Sequence, residues 1–301
     1  MFNKIYVNYS DGFKSSFLAP TYGVQVDKVS FNYPGAATAY INKVIGQMTL
    51  KRLTDVLIKG DITTDTTMLL VNGAYLKATW EDPFDVHLTK YTKFIKYDGT
   101  TVMIPIMHKK EHMLFVHDDL NKVKVVSLKL ASYGAYFTIV IPEDKRSFDD
   151  FLKNLRAPNF LKTVKKRMRQ EYIHVAIPRF KIKTLVDWTE SLKMFGLSTL
   201  FETNNAGLDG ILKDNILKKH VHLSKVKQKN FIDFNEMGAF RVVTPAGFEN
   251  FARAALINKI PPRLEAMADR PFYFEIGLQY DMSDFTKTED LFAGIYCGPE
   301  A

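Results

Sequence analysis

The chain has 301 residues and a formal charge of +8, from 41 Lys and Arg against 33 Asp and Glu. Hydrophobic residues make up 46% and charged residues 25%, a globular balance that excludes a disordered chain, a collagen or a low-complexity sequence. The single cysteine, Cys297, leaves no intrachain disulfide, and no apolar run reaches the eighteen or so residues of a membrane-spanning helix.

Ile5-Tyr6-Val7 reads as a strand close behind Met1, not as the apolar core of a secretory signal. No signal peptide is visible, so the chain is expected either to stay inside the cell or to start after its natural N-terminus. Residues 36–59 predict one long amphipathic helix. Ile41, Val44, Ile45 and Met48, then Leu53, Val56 and Leu57, recur at the spacing of a single buried stripe. Thr67–Trp80 is too apolar for a half-exposed strand and predicts a central one. Tyr136–Ile141 predicts another, stopped by Pro142. Ser147 and Asp150 resemble a capping box opening an amphipathic helix.

Glu171–Ile182 predicts a strand, and Thr184–Phe195 a helix ended by Gly196 with Leu185, Trp188 and Leu192 on one face. Val221–Asn235 predicts a long strand. Phe272–Tyr280 and Leu291–Cys297 are the last two strands. Between Glu236 and Pro271 about 35 residues show no clean period, and they hold Pro245, Gly247 and Pro261-Pro262; a loop that long inside a domain is usually functional.

His108, Glu111 and His112 have the H-x-x-E-H spacing of a class of zinc proteases, which needs both histidines on one helical face. Pro105 and the strand-like Met113–Val116 argue against a helix, and on a strand Glu111 falls opposite the histidines. A metallohydrolase using His108 and His112 is therefore only a minor alternative, and no metal is expected. His220 and His222 alternate on a strand without a carboxylate or cysteine to complete a metal shell. Cys297 reads as a buried structural thiol. No nucleophile elbow, P-loop or dinucleotide-binding motif occurs. Lys162, Lys165, Lys166, Arg167 and Arg169 form a basic run, either a solvated helix face or a polyanion site. Without interleaved aromatics it does not predict nucleic-acid binding. Asn8-Tyr9-Ser10 is the one glycosylation sequon.

Several segments together resemble the serpins, protease inhibitors that trap their target when a loop inserts into a sheet. Val71–Asp85, with Asn72-Gly73-Ala74-Tyr75 and Thr79-Trp80, is similar to the family's strand 3A and the turn after it. Ile104-Pro105-Ile106-Met107, Ile177–Ile182 and Gly207–Ile211 match further family segments. Leu223–Val226 leading into Asn235-Glu236-Met237-Gly238 resembles strand 5A and the hinge. Ala268–Phe272 is similar to the family signature, and Leu291–Gly294 to the last barrel strand. The matches run in order along essentially the whole chain. Helices A to D and the first barrel strand have no counterpart, so the resemblance is to a serpin lacking its N-terminal quarter.

The resemblance implies a single α+β domain with a large, mostly antiparallel central sheet A, sheets B and C, and surrounding helices. It implies a protease inhibitor, not an enzyme, without cofactors. Its partners would be a serine or cysteine protease and a glycosaminoglycan or other polyanion, with no membrane. Its location would be extracellular, or cytoplasmic given the missing signal peptide.

Residues 236–262 would be the reactive-centre loop, cut after Ala252 by family counting, or one residue on after Arg253 by a trypsin-like protease, with Lys259 as a third choice. Glu236, Gly238, Ala239, Arg241, Val243 and Pro245 would form the hinge. Asn72, Thr79, Trp80, Gln228 and Arg179 would form the shutter and breach, with Gln228 where the family has histidine and Arg179 a salt-bridge partner for Glu236. Arg241 and Pro245 are atypical hinge residues, because an inserted central strand disfavours a buried guanidinium and a proline. Weak or lost trapping is therefore expected, with a non-inhibitory binding, carrier or chaperone role as the alternative.

Overall fold

The computed structural model describes residues 2–9, 12–18, 24–76, 78–132, 134–143, 148–203, 205–213, 221–239, 262–279 and 288–299. Arg241, Val243, Pro245, Ala252, Arg253 and Lys259 lie outside them, as do Ser147 and His220.

In chain order the strands are β1 (Phe2–Asn8), β2 (Gln25–Val29), β3 (Met68–Tyr75), β4 (Ala78–Thr79), β5 (Lys90–Ile95), β6 (Thr101–Asp118), β7 (Val123–Lys129), β8 (Ala135–Pro142), β9 (Arg169–Pro178), β10 (Phe180–Asp187), β11 (Leu223–Asn235), β12 (Gly238–Ala239), β13 (Leu264–Met267), β14 (Phe272–Gln279) and β15 (Thr288–Tyr296). The α-helices are α1 (Ser15–Leu18), α2 (Pro34–Met48), α3 (Phe148–Arg156), α4 (Phe160–Lys165) and α5 (Thr189–Leu192). Two compact units form, one from residues 1–76 and 182–232, the other from 77–181 and 233–301.

In the first unit the sheet order is β2-β1-β3-β11, with β10 also on β11. β1 and β3 are antiparallel, whereas β3 and β11 run parallel in direct register, Gln228 opposite Asn72. α2 starts with Pro34 at its first turn, where the missing N–H costs nothing. It lays Ala37, Ile41 and Ile45 on Tyr6, Leu69 and Val71.

The predicted helix over 36–59 stops at Met48, which is solvent-exposed. The Thr49 hydroxyl donates to Ile45 O (2.8 Å), and Leu50 and Lys51 take φ of 51° and 60°, which no helix continues. Leu53, Val56 and Leu57 still reach the core, from a turn-rich segment.

The helix expected over 184–195 is also shorter. Thr184–Asp187 belongs to β10, and Asp187 Oδ1 accepts from Thr189 N (3.1 Å), so helical structure begins only at Thr189. It passes into a single π turn where Gly196 takes φ 89°. The strand read over 171–182 is two strands broken at Arg179, whose N–H bonds Pro105 O (2.9 Å).

The second unit holds an eight-stranded sheet, β13-β9-β6-β7-β8-β14-β15 with β5 on β6. β8 is buried along its whole length, as its mostly apolar sequence requires, and Thr138 within it is hydrogen-bonded to Ser127 (2.6 Å). α3 and α4 cover one face of the sheet, packing Phe148, Phe151 and Val164 near Val125 and Val140. The last residues of β11 belong to this unit, together with β12 and β4.

Candidate functional site: the hairpin at Asn235–Ala239

β11 reverses at Glu236-Met237. Asn235 Oδ1 accepts from Met237 N (2.9 Å), the side-chain turn that asparagine makes with the backbone two residues on. Gly238 and Ala239 then pair back on Asn235 and Phe234. On their other side they pair antiparallel with Thr79 and Ala78 of β4, so β12 lies between the end of β11 and β4. Gly238 has φ +113°, and a Cβ there would stand 2.6 Å from both Ala78 O and Thr79 Cα. Only glycine gives the left-handed bend and the close approach together.

Trp80 anchors the hairpin and is 2% exposed. Its backbone N–H donates to Met237 O (3.1 Å), and its indole Nε1–H donates to Asn235 O (2.9 Å). The ring stacks on Phe234 at 5.3 Å and meets Phe84 and Phe137 edge-on. A buried indole therefore satisfies its one donor while filling the apolar floor.

Glu236, buried at the turn, accepts from the Arg179 guanidinium and from the Thr89 hydroxyl (2.6 Å), and its carbonyl accepts from Phe84 N (2.8 Å). Burial works to raise its carboxyl pKa. The Arg179 and Thr89 hydrogen bonds outweigh that, so the group sits below the usual carboxylate range.

Asn72 and Gln228 face each other across β3 and β11 of the first unit but bond elsewhere. The Asn72 amide donates to Asn3 Oδ1 on β1. Gln228 Oε1 accepts from Trp188 Nε1 (2.9 Å), and its Nε2 donates to Asn230 Oδ1 (2.9 Å).

His108 and His112 lie on β6, not on a helix, and take separate partners. His108 Nδ1 is 3.1 Å from His174 Nε2, and the His112 ring lies 5.2 Å from Tyr172. Burial, then the neighbouring His174 and Lys90, push the His108 pKa down. Glu111 is ion-paired with Lys109. Among the described residues no three His, Cys, Asp or Glu side chains gather as metal ligands. His222 bonds Thr67, and Cys297 is half-buried with its thiol pKa pushed up by burial.

The basic run divides. Lys165 is 8% exposed and pairs with the buried Glu275, because the inner side of α4 faces the core, so it is no surface cation. Arg167 pairs with Asp118. Arg169 Nη1 donates to Met168 O (2.8 Å) and Lys166 O (3.2 Å) while remaining exposed. Lys162 and Lys166 are exposed.

Asn3 and Thr89 escaped the sequence reading, and Asn235 was placed at the hinge without its turn-forming role. Asn235 carried a signal, since an Asn-x-x-Gly run after a strand is turn chemistry. Asn3 and Thr89 carried none; each matters only through a partner about 70 or 150 residues away.

The family model for serpins (serine protease inhibitors) matches residues 1–294. Serpin-Z2A of Triticum aestivum is 28% identical over 282 residues, 91% of this chain and 69% of its own length. The antitrypsin of Bombyx mori is 25% identical over 284 residues, 93% and 70%. Among solved structures, native protease nexin-1 with heparin superposes with a TM-score of 0.80 at 21% identity, covering 99% of this chain and 76% of that one. With a family match over nearly its whole length and the same fold, the chain belongs to the serpin family.

Proposed function

We propose that the protein presents residues 236–262 as a cleavable loop to a serine-type endopeptidase and traps that protease poorly. The observation that carries this reading is the hairpin: β12 already occupies the slot between the end of β11 and β4. Further insertion would extend β12 between β11 and β3, replacing one parallel ladder by two antiparallel ones, which pair slightly better per residue.

The registers on either side of β12 support one placement, against a shift by one residue that would turn Arg241 outward. Ala239 lies opposite Phe234 and Ala78, and Gln228 lies opposite Asn72, with the same offset between the two flanking strands. Extending β12 then sets Arg241 between Ile232 and Leu76, and Pro245 between Gln228 and Asn72. Ile232 is 4% exposed, so Arg241 would lose its hydration there. Pro245 brings no N–H to either neighbour, leaving a carbonyl unpaired at about 1–3 kcal/mol. Insertion slowed in this way loses to hydrolysis of the acyl intermediate, and the loop is cut as a substrate.

Heparin in the protease nexin-1 structure supports a polyanion partner for the exposed part of the basic run, Lys162, Lys166, Arg167 and Arg169. Mixing the protein with trypsin- and elastase-like proteases tests the main reading. Cleavage within 236–262 without a denaturant-resistant complex is expected, with complex gained by Arg241→Ala plus Pro245→Ala. A stoichiometric complex from the unaltered protein refutes poor trapping. A loop that no such protease cuts favours a binding or carrier role.

A further inference from the structure

His108 spaces with His112 along the sequence, but the sheet gives it a different partner. β9 runs antiparallel to β6, with Ala176 opposite His108 and His174 opposite Lys110. His108 and His174 are therefore diagonal neighbours on one face, within reach of each other. His108 Nδ1 stands 3.1 Å from His174 Nε2, with the rings tilted by 32°. β13 continues the row. Glu265 lies opposite His174, and its Oε1 is 3.5 Å from His174 Nδ1. Both histidine strands are flanked on each side, β9 by β13 and β6, and β6 by β9 with β5 and β7. The alignment of one carboxylate and two imidazoles is thus set within the sheet.

We infer that His108 Nδ1 and His174 Nε2 seat a divalent transition-metal ion, copper(II) or zinc, with water in its remaining positions. Imidazole nitrogen is a ligand that both ions favour. Two nitrogens bound at about 2.0–2.1 Å stand about 2.9–3.4 Å apart, from square-planar to tetrahedral angles. A pair 3.1 Å apart therefore needs little movement to close on an ion. Glu265 acts from the far side of His174. A carboxylate at Nδ1 keeps the proton there and leaves the Nε2 lone pair facing His108, the outer support that metal-bound histidine commonly has. Burial and the neighbouring His174 push the His108 pKa down, so protons compete weakly for its lone pair. The His174 side chain is 19% exposed, which gives an ion a way in from solvent. Lys110 shares the face by strand alternation, and the Lys90 charge also reaches His108. Both repel a cation, so the affinity is moderate, with copper(II) ahead of zinc. With two protein ligands the ion ties strands together: β6 to β9 directly, and β13 through Glu265.

Titration calorimetry of the whole protein, free of any tag and in a non-chelating buffer at neutral pH, tests this with copper(II), zinc and magnesium chlorides. One copper(II) or zinc ion per chain is expected, with Kd of about 1–100 μM, and no magnesium uptake. His108→Gln and His174→Gln should each weaken binding by at least about tenfold, and Glu265→Gln by about tenfold through the lost support. His112→Gln and His117→Gln should leave it unchanged. Electron paramagnetic resonance of the copper(II) form gives a readout that needs no variant: two imidazole nitrogens should couple to the metal in the parent protein, and one in either His108→Gln or His174→Gln. No uptake below about 1 mM overturns the inference and leaves the pair as a hydrogen bond between rings. Uptake that survives His108→Gln with His174→Gln overturns it, as does uptake abolished by His112→Gln or His117→Gln, which assigns the ion elsewhere. An affinity unmoved by Glu265→Gln overturns the part given to the carboxylate.

Discussion

Gly238→Ala puts a methyl group where Ala78 O and Thr79 Cα lie 2.6 Å away and Trp80 N 2.8 Å away, on a backbone at φ +113°. The obstacles are backbone atoms, so no side chain can swing aside. Holding alanine in the left-handed region costs about 1–2 kcal/mol, and forcing atoms into a filled space costs about 1–3 kcal/mol. The two-residue β12 ladder cannot withstand a total of about 2–5 kcal/mol, since each hydrogen bond contributes only about 1 kcal/mol net. The expected outcome is local: β12 leaves the slot while the β8 and β14 core stays folded. The Trp80 amide, which donates to Met237 O at 3.1 Å, reports this directly. Its hydrogen exchange should accelerate roughly 30- to 4,000-fold, at about 1.4 kcal/mol per factor of ten. Proteolysis within 240–261 should speed up in parallel. Exchange at Trp80 within twofold of the parent would refute the argument that glycine is required there.

Glu236 is held below the usual carboxylate value near 4.5, so its ion pair is complete above that value and is lost as pH falls through the lower folded pKa. The protection factor of the Phe84 amide, its exchange relative to an unstructured chain at the same pH, should therefore fall in acid, and Glu236→Gln should flatten that pH profile; an unchanged profile refutes the assignment. Lys165→Met leaves Glu275 buried without its partner and should cost about 3–5 kcal/mol in urea unfolding. Adding Glu275→Leu should recover most of it, and equal stability of the single and double variants counts against the pair. Lys162→Glu with Lys166→Glu should lower the salt at which the protein leaves a heparin column, because exposed cations act through screened attraction. Elution at the parent's salt concentration removes these two from the polyanion site.

Strand content was legible wherever one pattern determined both burial and conformation. The mostly apolar β8 and the last two strands of the chain are examples. Residues 49–57 show where that fails. Leu53, Val56 and Leu57 are buried at helical spacing, yet positive φ at Leu50 and Lys51 turns the chain out of the helix. Periodicity reports which residues reach the core, not how the backbone carries them there. The basic run fails for a related reason: charge counted along the sequence does not reveal that Lys165 points inward to Glu275. At the hairpin the chemistry of Asn235 and Gly238 was readable, because turns are local. The Thr89 hydroxyl on Glu236 was not, because nothing near Thr89 marks a partner 147 residues away.

The parallel pairing of β3 with β11 also sets a timetable for synthesis. Asn72 leaves the ribosome 156 residues before Gln228, its partner across the ladder. At about 5–20 residues per second, β3 waits roughly 8–30 s with β1 on one side and an open edge on the other. For that interval the nascent chain carries an apolar strand with unmet N–H and C=O groups, and a neighbouring nascent chain on the same message carries an identical one. Chaperone occupancy of the 68–75 segment during translation, and the yield of soluble protein when elongation is slowed, are therefore governed by the spacing between two strands, not by the stability of the finished sheet.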